Sequence, residues 1–70
     1  DPRHAMLEIA IRRLKKDERL LLSMRYADGL SMREIAFVTG QKEGNLAVRL
    51  LRIRERLKNI IKEIEHESQL

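Results

Sequence analysis

A short helical pattern, a glycine-containing turn and a long helical pattern follow one another after Ser31, and this succession constrains the fold most. Ser31 and Glu34 have the spacing of a capping box, in which each residue satisfies a backbone amide of the other. The helix that begins there ends about two turns later at Gly40, because glycine readily adopts the left-handed conformation typical of helix ends. The sequence therefore predicts a helix over 32–39 and a turn at 40–42.

The segment after this turn has a single apolar stripe. Leucine and isoleucine recur at alternating steps of four and three from Leu46 to Ile64, which is the period of an amphipathic helix. We expect a helix over about 43–65, about 34 Å long at about 1.5 Å per residue. Ile35, Val38 and Leu46 are expected to fill the space between this helix and the preceding one.

Two further helices are predicted in the N-terminal half. An acidic N-cap and a proline at the first helical position, Asp1-Pro2, begin the first. Asp17 and Glu18 place negative charge in the first turn of the second, where the helix dipole favours it. Their expected ranges are 2–14 and 17–27.

Seventy residues are enough for one domain. Since no segment favours β-strands, we expect a single all-α domain over 1–70, a small orthogonal four-helix bundle. Its last two helices would form a helix-turn-helix with a long C-terminal recognition helix.

The composition excludes several kinds of site. The chain has no cysteine, so disulfides and cysteine-bound zinc are excluded. His4 and His66 lie near opposite ends without metal-ligating neighbours, and no carboxylate, histidine and nucleophile fall in one region. We therefore expect no metal, no cofactor and no catalytic activity.

The same sequence predicts where the chain acts. No apolar run approaches the ~18–20 residues that cross a bilayer, and the chain begins without the apolar core of a signal peptide. We expect a cytoplasmic protein that does not bind membranes. The absence of an initiator methionine indicates a fragment of a longer protein, with a complete short regulator as the alternative.

The charge balance favours an anionic partner. Lysine and arginine number 15 against 11 acidic residues, which gives a net charge of +4. Tyr26 and Phe37 are the only aromatic residues, which argues against binding of single strands by base stacking. An arginine-rich second helix of a helix-turn-helix is instead typical of duplex binding, since a major groove about 12 Å wide admits one helix.

Many residues keep the register of a known family. They are Leu14, Arg19, Leu22, Arg25-Tyr26, Gly29-Leu30-Ser31, Glu34-Ile35-Ala36, Gly40, Glu43-Gly44-Asn45-Leu46, Arg49-Leu50 and Arg52-Ile53-Arg54. The run EIAFVTGQKEGNLAVRLLRIR resembles the family's EIA-x-x-x-G-x-S-x-G-T-V-x-S-R-L-x-R-A-R. Without a gap, residues 14–58 resemble region 4 of bacterial sigma factors, in its extracytoplasmic-function variety.

The resemblance implies a function and three partners. The fourth helix would bind the −35 element of double-stranded promoter DNA, as the C-terminal domain of a sigma factor in transcription initiation. The domain would also dock on the flap of the RNA polymerase β subunit. In many members of the family it is captured by an anti-sigma factor.

Several positions depart from the family pattern. Lys42 stands where serine usually caps the recognition helix, which weakens that cap by about 1 kcal/mol. Asn45 replaces threonine and Ile53 replaces alanine. Ala47 and Val48 occupy positions that are commonly polar or basic and read bases.

A helical wheel of the fourth helix gives the candidate contacts. Val48, Leu51 and Arg52 point away from the apolar stripe, where the first two would meet thymine methyls and the third guanine or phosphate. Glu43 has two interpretations, a residue favoured by the helix dipole or an acceptor for a cytosine amino group. The residues expected to contact DNA are Arg33, Lys42, Glu43, Asn45, Ala47, Val48, Arg49, Leu51, Arg52, Glu55 and Arg56.

Alternatives stay open for two surfaces. The end of the stripe is either covered by the first helix or used for self-association or a regulator; it comprises Leu57, Ile60, Ile61 and Ile64. Ala47, Val48 and Leu51 would form a protein-binding surface if the domain has kept the fold but lost DNA binding. A stand-alone helix-turn-helix regulator, or an activator domain of the response-regulator type, would share the same fold.

Overall fold

Four α-helices follow one another in the computed structural model, which describes residues 1–68. They are α1 (Pro2–Arg12), α2 (Lys16–Leu22, continued by a π-helical turn over Ser23–Ala27), α3 (Met32–Thr39) and α4 (Glu43–Ser68). The predicted all-α class and the order of the helices are confirmed. The bounds of α3 agree with the prediction, whereas α4 continues three residues beyond the predicted end at 65.

After α1 the chain forms a tighter turn with hydrogen bonds between residues three apart, instead of continuing as an α-helix to residue 14. The amides of Arg13 and Leu14 donate to the carbonyls of Ala10 and Ile11, three residues back, at 3.1 Å each. This turn brings the Leu14 side chain into the core, where it is 4% exposed. The predicted end of the first helix at residue 14 was therefore two residues too late.

One core joins the four helices. Half of its buried side chains come from α4, so the predicted apolar stripe is confirmed where it faces the other helices. The buried residues are Ala10, Leu14, Leu21, Ile35, Leu46, Leu50, Ile53 and Ile60. Ile35 and Leu46 have no exposed surface at the crossing of α3 and α4, which fixes the position of α4 relative to α3.

Val38 is not part of this crossing, contrary to the prediction. Its side chain is 64% exposed, because the inward direction of α3 is set by Met32, Ile35, Ala36 and Thr39. At 3.6 residues per turn, Val38 lies roughly a third of a turn away from the mean of these four positions.

α1 covers the C-terminal half of the α4 stripe. Ile60 is buried, and Leu57, Ile61 and Ile64 are partly buried against the core. Met6 and Leu7 of α1 line a shallow groove together with Ile61. The end of the stripe is therefore covered by the first helix, which is one of the two alternatives considered for it. Self-association through these residues stays a prediction.

The predicted capping box begins α3. The amide of Glu34 donates to Ser31 Oγ at 3.1 Å, and the amide of Ser31 donates to Glu34 Oε1 at 3.0 Å. The backbone N–H of Ser31, and secondarily its hydroxyl, lower the pKa of the Glu34 carboxyl from its ordinary value of 4.5.

Acid is expected to remove what Glu34 contributes to stability. A carboxyl whose pKa is lowered in the folded state stabilises the fold above its unfolded pKa and loses this effect as the pH falls through the folded pKa. The difference in Tm between the wild type and Glu34→Ala should therefore be constant near neutral pH and shrink below about pH 4.5. Melting curves over a pH series measure it, with Glu8→Ala at an exposed position of α1 as the control. A difference unchanged down to about pH 3 would contradict the expectation.

Candidate nucleic-acid interface

The turn between α3 and α4 is closed by hydrogen bonds. Gly40 ends α3 in the left-handed conformation with a φ of 71°. Thr39 Oγ1 donates to the carbonyl of Ile35 at 2.8 Å and accepts from the amide of Gln41 at 3.3 Å. The amide of Leu46 then donates to the carbonyl of Lys42 at 3.0 Å, which begins the hydrogen-bond ladder of α4. The turn thus holds the start of α4 at a defined angle to α3.

The first four turns of α4 have one free face. Val48 is 47% exposed and Leu51 is 53% exposed, and Arg52 is also exposed. Four more exposed positions lie on or beside this face, namely Gly44, Asn45, Ala47 and Glu55. The structure therefore brings most of the candidate contacts together on one unobstructed side of α4.

Arg49 lies on the flank of this face and is engaged within the domain. Its Nη1 donates to Gln41 Oε1 at 2.8 Å, and its Nη2 donates to Asp17 Oδ2 at 3.2 Å. Its side chain is 34% exposed. Arg49 thus ties the start of α2 and the turn before α4 to the second turn of α4.

Other cationic side chains of α4 differ in whether they have a partner within the domain. Arg56 Nη1 lies 3.9 Å from Glu18 Oε1, Arg54 Nη1 donates to the Tyr26 hydroxyl at 3.1 Å, and Lys58 pairs with Glu55 at 3.7 Å. Within residues 1–68, the side chain of Arg52 makes no hydrogen bond or ion pair. Its guanidinium is therefore available to a ligand without the loss of an internal contact.

Three candidate residues lie near the starts of the helix-turn-helix helices. Arg33 is exposed in the first turn of α3, and Glu43 is exposed in the first turn of α4. Lys42 is exposed immediately before α4, so its charge lies at the end of the helix where amides are unsatisfied. Glu43 suits that end of the dipole, which agrees with the first of its two interpretations.

Phe37 is a surface residue that the sequence analysis did not assign. It is 89% exposed on α3, beside Leu30, Arg33 and Val38 in a shallow apolar groove. The sequence does contain a sign of its exposure. Four consecutive apolar residues, from Ile35 to Val38, are too many for one face of a helix to bury. An aromatic side chain this exposed buries little within the domain.

Neither a metal centre nor a membrane span is found in the part of the chain that the structure describes. No group of three or more histidine, cysteine and acidic side chains there is arranged to hold a metal ion. None of the helices within residues 1–68 combines the length and the apolar character needed to cross a bilayer.

A short helix, a three-residue turn and a long basic helix with one free side define a helix-turn-helix module. The family model described as Sigma-70, region 4 matches residues 4–57, from α1 to the middle of α4. The chain therefore belongs to the sigma-70 region 4 family, a family of DNA-binding modules that recognise the −35 element and are not catalytic. A search of curated proteins and a search of solved structures gave no match.

Proposed function

We propose that this chain is the −35-reading domain of a bacterial sigma factor and that α4 enters the major groove of promoter DNA. The observation that supports it is the free face of α4, on which Val48, Leu51 and an unpaired Arg52 are exposed. A groove about 12 Å wide accepts one helix, and the free face at the start of α4 is turned away from the helices that pack on its opposite side.

The side chains on this face suit different parts of a duplex. Arg52 would donate to guanine or to a phosphate, and Val48 and Leu51 would pack on thymine methyls. Asn45 would hydrogen-bond to a base edge near the start of the helix. Arg33 and Lys42 would contact phosphates and so fix the position of α4 without reading the sequence.

The proposal includes the partners that the family has. The module would act with core RNA polymerase in the cytoplasm, docked on the flap of its β subunit, and an anti-sigma factor would compete for the same domain. Because an isolated module with few contacts binds weakly, its affinity for DNA should fall steeply with salt.

Selection from a pool of duplexes with a randomised centre tests the DNA-reading function. The 70-residue chain is expected to enrich one sequence, and a duplex of that sequence should bind more tightly than a scrambled duplex of the same composition. The logarithm of the binding constant should fall linearly with the logarithm of the salt concentration, with a slope of about −0.9 per phosphate contacted. A pool that remains random after repeated selection would overturn the proposal.

A second candidate function is the binding of protein by the same face. The exposed apolar side chains of Val48 and Leu51 favour it, and Val48 stands at a position where the family commonly has a polar or basic residue. A second copy of the chain or a regulator helix would bury them.

Replacement of both Val48 and Leu51 by aspartate should separate these two functions. Both positions are about half exposed, so the fold should remain intact. If α4 reads DNA, the wild type sediments as a monomer and the variant loses affinity for the selected duplex, because two carboxylates then face the phosphates. If the face binds a second copy, the wild type sediments as a dimer and the variant as a monomer. Asn59→Asp, at an exposed position two turns further along α4, controls for added charge.

A further inference from the structure

Three arginines form a row along one flank of α4. Arg49, Arg52 and Arg56 are spaced by three and four residues, which places them on the same side of the helix. The first turn of α2 lies opposite this row. A shallow cleft between the two elements is lined by Lys15, Asp17, Glu18, Arg49, Arg52 and Ile53.

The contacts across this cleft divide the three arginines. Arg49 is held by Asp17 at 3.2 Å and by Gln41 at 2.8 Å, and Arg56 lies 3.9 Å from Glu18. The side chain of Arg52, between them, makes no ion pair or hydrogen bond in the described residues 1–68. Two of the three cations on this flank are therefore partly neutralised within the domain, and the central one is not.

The two acidic residues are not equivalent. Glu18 Oε1 also accepts from the amide of Lys15 at 2.8 Å, so this carboxylate is needed to begin α2. Within residues 1–68, Asp17 has Arg49 as its partner and takes no part in that cap, and its side chain is 67% exposed. The Asp17 carboxylate is thus not required for the cap that begins α2.

We propose that Asp17 and Gln41 are specificity-determining residues, which restrain Arg49 from the DNA backbone so that Arg52 reads the duplex on this flank. The inference rests on the proposed DNA-binding function and deepens it.

The physical argument depends on the difference between two kinds of complex. A duplex of any sequence offers phosphates, and Arg49 can reach one only by giving up Asp17 and Gln41, which leaves the Asp17 carboxylate facing an anionic backbone. The base contacts of Arg52 are made only with the correct sequence and fix the position of α4 there, so Arg49 stays with Asp17 and Gln41 in that complex. A non-specific complex has only contacts to the backbone, so it loses the phosphate contact that an unrestrained Arg49 would make. Restraint of Arg49 therefore lowers non-specific affinity by a larger factor than specific affinity.

Two variants release Arg49 in different ways, and a third controls for charge. Asp17→Asn removes the ion pair and one negative charge, and Gln41→Ala removes the second anchor without a change in charge. Glu67→Gln removes one negative charge and an exposed ion pair with Arg13 at 3.4 Å. Glu67 lies about 27 Å beyond Arg49 along α4. All three are measured on the full 70-residue chain with the selected duplex and its scrambled counterpart over a range of salt.

Asp17→Asn is expected to add about one phosphate contact on the scrambled duplex. The salt slope should steepen by about 0.9, which corresponds to an about threefold larger loss of affinity over a fourfold rise in salt. The ratio of specific to non-specific affinity should fall in both Asp17→Asn and Gln41→Ala and stay unchanged in Glu67→Gln. In the absence of DNA, the NMR signal of the Arg49 guanidinium should broaden or shift in the first two variants only.

The outcomes separate this inference from the proposed function. If Asp17→Asn and Gln41→Ala keep the wild-type salt slope and specificity ratio, the role of the two residues is refuted while promoter reading stands. If the wild type does not prefer the selected duplex, promoter reading fails, and the slope on the scrambled duplex still decides whether Asp17 restrains Arg49. If Asp17→Asn loses its helical circular dichroism, Gln41→Ala alone decides.

Discussion

Leu46→Ala is expected to leave most of the chain unfolded at room temperature. Leu46 has no exposed surface and packs where α4 crosses α3, against the equally buried Ile35. Truncation of a fully buried leucine costs about 2–5 kcal/mol, since transfer energy is lost and a cavity is left. A core in a domain below about 70–80 residues rarely supplies more than about 3–5 kcal/mol of stability. The expected loss is therefore comparable to the whole stability of the fold.

Urea titration followed by far-ultraviolet circular dichroism measures this effect. Val48→Ala is the matched control, because it lies two residues away on the same helix but is 47% exposed. That variant should shift the unfolding free energy by no more than about 0.5 kcal/mol. A Leu46→Ala chain with the wild-type urea midpoint would show that the crossing of α3 and α4 does not hold the helix-turn-helix together.

The sequence predicted the helix-turn-helix well because its signals are local. The capping box at Ser31 and Glu34 and the glycine at the end of α3 act through hydrogen bonds and backbone conformation within a few residues. The stripe of α4 repeats over many turns, so its period identifies both the helix and its buried face. For the same reason, the exposed positions Val48, Leu51 and Arg52 agree with the helical wheel.

The N-terminal half was less predictable because tertiary packing decides it. Leu20 and Leu21 are adjacent leucines of α2, yet Leu20 is 52% exposed and Leu21 is 3% exposed. The helix also widens into a π-helical turn, in which the amide of Asp28 donates to the carbonyl of Ser23 at 2.9 Å. No residue type marks such a turn, since it depends on how the end of the helix fits against its neighbours.

The engagement of Arg49 could not be predicted from its own helix. The wheel places Arg49 on the flank of the free face, and both DNA contact and internal pairing are compatible with that position. What decides between them is the location of Asp17, which lies 32 residues earlier in the sequence. Pairing at this separation is a product of the packing of α2 on α4, which local patterns do not encode.

Arg52→Ala is expected to lower affinity for the selected duplex by about 5- to 150-fold. An arginine that donates two hydrogen bonds to guanine contributes about 1–3 kcal/mol of discrimination, and this range follows from about 1.4 kcal/mol per tenfold change. On a scrambled duplex the loss should be small, because only a phosphate contact is removed there. The fold should be unaffected, since Arg52 is exposed and has no internal partner within residues 1–68.

Fluorescence anisotropy with the two duplexes at one fixed salt concentration measures both losses. Lys58→Ala is the control for charge, because Lys58 is an exposed cation six residues beyond Arg52 on α4 and is paired with Glu55. It should weaken binding to both duplexes by the same small factor. Equal losses on the two duplexes for Arg52→Ala would assign Arg52 to the DNA backbone. Unchanged affinity on both would mean that the free face of α4 does not lie in the groove, and the apolar pair Val48 and Leu51 would then define a protein-binding surface instead.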